Sequence, residues 1–128
     1  MKLLLDTCTF LWVTGDAQRL SRRALALFQS PEHEVYLSAG SAWEIAIKHA
    51  LGRLSLPAAP ARFVPEMRDA HGIEALPIDE AAALHIARLP ALHRDPFDRL
   101  LVSQAIVHGL TILTPDPLVS QYPALTAW

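Results

Sequence analysis

A chain of 128 residues, 52% hydrophobic and 19% charged, has the size and make-up of one globular domain and excludes a disordered protein. Its single cysteine, Cys8, excludes an internal disulfide framework and a cysteine-rich zinc site, and fits a reducing, cytoplasmic setting. A net charge of −2 gives no overall footprint for nucleic acid, so a polyanionic substrate must be held by local arginines or a bound cation.

Residues 2–5 (KLLL) read as a short buried strand that stops on a carboxylate, Asp6. Three leucines are too few for a signal-peptide core, and nothing approaches the roughly 20 apolar residues that span a bilayer, so no membrane partner is expected. Residues 21–30 have helical spacing with Ser21 as N-cap, and residues 34–38 (EVYLS) are rich in strand formers. Residues 41–54 predict a helix whose apolar arc is Trp43, Ala46, Ile47, Ala50 and Leu51, ending near Gly52. Residues 56–65 carry three prolines and read as a loop leading into a helix over 66–72. A third strand is predicted at 73–78 and a helix capped by Asp79 at 79–89. A helix at 95–109, a strand at 110–114 and a last short strand at 124–128 complete the chain. This alternation predicts one α/β domain over residues 1–128, with a mostly parallel central sheet of four to five strands and helices on both faces.

Ligands of open α/β sheets bind at the carboxyl ends of the strands, and Asp6 stands at such an end. It also fits the N-cap of a helix starting at Thr7 or Cys8, and the residue alone does not decide between the two. Asp116 follows the strand at 110–114 in the same way, although Asp before Pro117 is a good cap in its own right. Glu44 lies at the edge of its helix's apolar arc, where a Ser41–Glu44 capping box or an exposed pair with Lys48 explains it adequately. Asp95 reads as the N-cap of the late helix. Asp98 is harder to dismiss, because it shares a face with Leu101, Val102 and Ala105 and a buried charge needs a partner. Taken as a set, Asp6, Glu44, Asp98 and Asp116 predict a cluster of carboxylates at one sheet edge. Such a cluster repels itself unless a cation neutralises it, and all-oxygen ligands suit Mg²⁺ or Mn²⁺. That chemistry supports hydrolysis of a phosphodiester.

The stretches LLLDTCTFLW, VYLSAGSAWEIAIK, HRDPFDRLLVSQA and LTILTPDPLVSQYP, in this order and spacing, resemble PIN-domain proteins, specifically VapC-type toxin ribonucleases of bacterial toxin–antitoxin pairs. The resemblance implies an endoribonuclease that cuts structured cellular RNA such as tRNA or rRNA. It also implies a homodimer or a larger toxin–antitoxin assembly, and neutralisation by a cognate antitoxin protein that covers the acidic groove. The family's acidic quartet falls on Asp6, Glu44, Asp98 and Asp116. Asp6, Asp98 and Asp116 would ligate the metal, and Glu44 would position or activate the attacking water. Thr7 and Thr114 would offer hydroxyls beside two of the acids.

Arg94, Arg99, Lys48 and Arg53 are the candidate RNA-phosphate contacts, with Arg99 favoured. The six histidines, His93 among them, lie at no metal-like spacing and are assigned solvated or core roles, and Trp12 and Trp43 are assigned to core or interface. Two other readings compete. A metal-dependent phosphatase of the haloacid dehalogenase type wants a second aspartate two residues after the first, where this chain has Cys8. A catalytically inactive binding module on the same fold would keep the acidic groove without cutting.

Overall fold

Three successive leucines can all be buried in one strand only if both faces of its sheet are covered, and that is how the first strand sits. The computed structural model describes all 128 residues. In β1 (Lys2–Leu5), Leu3, Leu4 and Leu5 are fully buried. Around it stand β2 (Glu34–Ser38), β3 (Ile73–Leu76), β4 (Thr111–Leu113) and β5 (Leu125–Ala127). They form a single sheet in the order β3-β2-β1-β4-β5, with every neighbouring pair parallel.

Six helices connect and cover the strands: α1 (Thr7–Gly15), α2 (Arg22–Gln29), α3 (Ala39–Ala50), α4 (Pro60–His71), α5 (Glu80–His85) and α6 (Pro96–His108). On one face, Leu3, Leu5, Leu37 and Leu113 pack with Phe10 and Val13 of α1, Ala24 of α2, Ile45 of α3, and Phe63 and Val64 of α4. On the other, Leu4 and Ile112 meet Leu101, Val102 and Ala105 of α6, with Val119 and Tyr122 from the C-terminal segment. α5 packs on α6, where the Ser103 hydroxyl donates to the Ala82 carbonyl. The result is the three-layer α/β domain expected from the alternation, with five strands and no antiparallel pair.

Several local expectations are corrected. The third helix starts at Ala39, with Ser38 rather than Ser41 as its cap. Its buried residues are Gly40, Ser41, Glu44 and Ile45, whereas Trp43 is 58% and Leu51 61% exposed. The apolar arc therefore faces outward, because the N-terminal half of α3 is wedged against α1 and α6. A Cβ at Gly40 would come within 2.6 Å of Leu100 Cδ2, and Trp43 leans edge-on against Phe97 of α6 with ring centroids 5.2 Å apart. The proline-rich loop is also shorter than expected. α4 begins at Pro60, in the first helical position where a missing N–H costs nothing, and runs on through Pro65. Buried Phe63 and Val64 hold that stretch on the sheet against proline's tendency to break it. Asp79 makes no side-chain cap bond and instead pairs with His108 Nε2 at 2.7 Å. No α-helix follows Asp116; the chain makes only a 3₁₀ turn at Val119–Gln121.

β2 and β3 lie on one side of β1, and β4 and β5 on the other. The order of the strands thus reverses between β1 and β4, which opens a crevice at their carboxyl ends.

Candidate active site

Asp6 leaves β1 directly into that crevice and is 5% exposed. It caps α1, with Oδ1 accepting from Thr9 N at 2.9 Å. Its Oδ2 accepts from the Thr114 hydroxyl just beyond β4, and Thr114 Oγ1 accepts in turn from Asp116 N at 3.1 Å. Capping and site formation are therefore one arrangement, and the two explanations of Asp6 do not compete. Asp116, two residues after Thr114, is half-buried, and its Oδ1 accepts from Leu118 N at 2.9 Å.

Glu44 reaches the same place from α3 and is also 5% exposed. The Thr7 hydroxyl donates to its Oε1 at 2.6 Å and lies 3.0 Å from Ser41 Oγ. The Lys48 ammonium donates to its Oε2, and that bond holds the lysine above its usual pKa range. The pairing with Lys48 is present, but its acidic end is buried rather than exposed.

From α6, Asp95 is the N-cap foreseen, with Oδ1 accepting from Phe97 N at 2.9 Å and Asp98 N at 3.3 Å. Asp98 sits one turn in. Burial, followed by the charges of Asp95, Glu44, Asp116 and Asp6, pushes its carboxyl up to about 7. The facing group is His93, whose Nε2 is 3.5 Å from Asp98 Oδ2. Cys8 is in the crevice too, but burial and the Asp6 charge push its thiol up to about 12, so it is not a nucleophile near neutral pH.

Together Asp6, Glu44, Asp95, Asp98 and Asp116 line one groove of about 370 Å³, with Lys48 and Arg53 as its only cations. All four acids of the predicted quartet meet there, and Asp95 joins them. A second cavity of the same size, between α3 and α4, is lined mainly by alanine and proline with Arg68 its only charge, so it lacks convergent chemistry. As now oriented, no three Asp, Glu, His or Cys side chains stand close enough to grip an ion. Oxygens of Asp6 and Glu44 are spent on Thr9, Thr114, Thr7 and Lys48. In kind, however, the donors fit a hard divalent cation: all are carboxylate oxygens, and Asp98 is a half-buried acid raised by desolvation and by its acidic neighbours, with no ammonium or guanidinium paired to it. Side-chain rotation is needed to gather them.

The basic residues sort differently from expectation. Arg99 is spent internally, donating to the carbonyls of Pro90 (2.9 Å) and Ile86 (3.2 Å) and to the Tyr122 hydroxyl (3.1 Å), so it is not available to RNA. Arg53 makes no internal pair. It is carried over the groove by a turn at Gly52 (φ 71°), whose positive φ favours glycine, with Arg53 N bonded to Lys48 O at 2.9 Å. His93, assigned a solvated or core role from the sequence, stands beside Asp98. Its approach to Asp98 depends on how the 90–95 segment folds back, for which helical spacing holds no signal.

The PIN domain family profile matches residues 3–125. Ribonuclease VapC16 of Mycobacterium tuberculosis (strain ATCC 25618 / H37Rv) is 40% identical over 60 residues, 47% of this chain. The matched stretch spans 43% of that relative, less than half its length. Among solved structures, VapBC2 from Rickettsia felis bound to a DNA fragment from its promoter superposes with TM-score 0.71 at 14% identity, covering 100% of this chain and 99% of that one. DNA-bound VapBC from Salmonella typhimurium gives TM-score 0.63 at 21% identity over 98% of this chain and 96% of that one. At such identities the likeness is one of fold.

Proposed function

The chain belongs to the PIN domain family, and from that premise we propose that it is a divalent-metal-dependent endoribonuclease of the VapC toxin type. The observation that carries the proposal is the meeting of five carboxylates in one groove at the β1/β4 reversal, with Asp98 left uncompensated. Asp6, Asp98 and Asp116 would hold Mg²⁺ or Mn²⁺. A cation held there would supply a bound water of lowered pKa and charge to offset that of the scissile phosphate. Glu44, fixed by its hydrogen bonds from Thr7 and Lys48, is set to orient the attacking water. Arg53 is the cation free to take a flanking RNA phosphate, which answers the problem posed by a net charge of −2.

Structured RNA such as tRNA or rRNA is the proposed substrate. The proposed partners are a cognate antitoxin, in keeping with the VapBC pairs that share the fold, and a second copy of the chain. No helix is long and apolar enough to cross a membrane, and a cytoplasmic site of action is proposed with the toxin role.

Purified protein incubated with total transfer RNA tests this, with Mn²⁺ or Mg²⁺, with chelator, and as Asp98→Asn. Discrete fragments that need both ion and Asp98 are expected, with the variant losing more than the ~10–100-fold typical of a ligand's outer partners. Equal cleavage by both forms at matched purity refutes the assignment. Intact RNA throughout favours the inactive binding module.

A further inference from the structure

We propose that His93 is a positioning residue for Asp98, orienting its carboxylate for the cation the groove would take. This rests on the metal-site reading above and adds a residue to it.

The argument begins with the ring's protonation pattern. Asp95 N donates to His93 Nδ1 at 3.2 Å, so Nδ1 is the acceptor and a neutral ring carries its proton on Nε2. That Nε2 is shielded from solvent and has no hydrogen-bond partner. It faces Asp98 Oδ2 at 3.5 Å. No hydrogen bond reaches the Asp98 carboxylate, and the other groups that line the groove beside it are mostly acids, Asp6, Glu44, Asp95 and Asp116. His93 is thus the polar group in place to hold one oxygen of that carboxylate.

The ring is itself braced. It meets Tyr122 edge-on with centroids 5.9 Å apart. The buried Tyr122 hydroxyl accepts from His93 N at 3.2 Å and from Arg99 at 3.1 Å. Arg99 then ties the assembly to the carbonyls of Ile86 and Pro90. A core histidine needs only to be packed. One that is clamped on three sides while its remaining N–H is left unpaired beside an acid is built for that acid. The carboxylates must turn to gather an ion, and a small rotation of Asp98 closes the 3.5 Å gap. With one carboxylate oxygen held by His93, the other would be presented to a cation. Outer partners of this kind fix the orientation of metal-ligating groups.

Calorimetric titration of Mn²⁺ without RNA, at one fixed pH, separates positioning from packing. His93→Phe keeps the ring packed on Tyr122 but removes the N–H, and its Mn²⁺ affinity should fall about 10-fold. His93→Gln carries an amide N–H in place of Nε2–H and should recover most of the loss, which a purely structural role would not allow. Should His93→Phe fail to fold, Tyr122→Phe tests the brace, because it removes the hydroxyl holding His93 and Arg99 while keeping the ring; its affinity should move in the same direction. Wild-type affinity in a folded His93→Phe protein, or Gln no better than Phe, overturns the proposal and leaves the metal site standing. A wild-type protein that binds no Mn²⁺ at millimolar concentration removes the metal-site reading and this inference with it.

Discussion

Asp6 and Glu44, on the strand-end side of the groove, and Asp98, on the α6 side, are all withdrawn from bulk water, yet they are treated differently. Asp6 has Thr9 N and the Thr114 hydroxyl; Glu44 has the Thr7 hydroxyl and the Lys48 ammonium. Asp98 has four acids around it and a histidine at 3.5 Å. The first side is finished by the fold itself, since its partners are residues of the first turn of α1, the residue after β4 and the last turn of α3. The second is left short of positive charge. An unpaired carboxylate withdrawn from water is costly to ionise, so on the proposed function the half of the groove left unsatisfied is where a cation would be supplied.

A large effect should come from supplying it. An ion at 100 times its dissociation constant stabilises the folded state by about 2.7 kcal/mol, a rise in Tm of roughly 10 °C for a domain of this size. Scanning fluorimetry of wild type with Mn²⁺ should show that rise, and Asp98→Asn should lose most of it. An equal rise in the variant would mean that the α6 side is not the half that lacks charge.

A second effect, of comparable size, should appear with pH when a chelator keeps ions away. Asp98 loses its proton near 3.8 in the unfolded chain and at about 7 in the folded one. Between those values the folded state binds more protons, so stability falls as pH rises. The contribution is intact below about 4 and gone above about 7. Urea midpoints for wild type and Asp98→Asn should therefore diverge across that window, with the variant the more stable at pH 7.5 relative to pH 4.5. Parallel curves would show that Asp98 is better solvated than its surroundings imply.

The same contrast explains what could be read from the chain. Strand positions are legible because β1, β2 and β4 are short apolar runs closed by polar residues, and Asp6 and Asp116 are legible because each follows the end of a strand. Asp98 in particular was conspicuous for sharing a face with Leu101 and Val102, both now seen buried. α3 misled because its most apolar arc is exposed while Ser41 and Glu44 face inward; periodicity assumes that the apolar face is the buried one, and a helix that builds a polar site inverts the rule. Arg99 and His93 exchanged roles for a related reason. The arginine looks available in the sequence and is bonded to Tyr122 and two carbonyls, while the histidine looks inert and faces Asp98. Both depend on Tyr122, which is 23 residues from Arg99 and 29 from His93 in sequence, a separation that no local pattern reports.

The smallest expected effect makes the satisfied side resemble the other. Lys48 is about half exposed and Glu44 is not, so the pair is neither a surface salt bridge nor a buried one. Lys48→Met removes the ammonium but leaves the Thr7 bond in place. The loss should be about 0.5–1 kcal/mol, above the ~0.3–0.5 of a fully exposed i,i+4 pair, because the carboxylate left behind is buried. That is a Tm lowered by about 2–4 °C without metal. The rise produced by Mn²⁺ should then be larger than in wild type, since Glu44 now shares the shortage of positive charge that Asp98 has. A lowered Tm with an unchanged metal response would place Lys48 in the fold alone, and the asymmetry of the groove would then rest on the threonines.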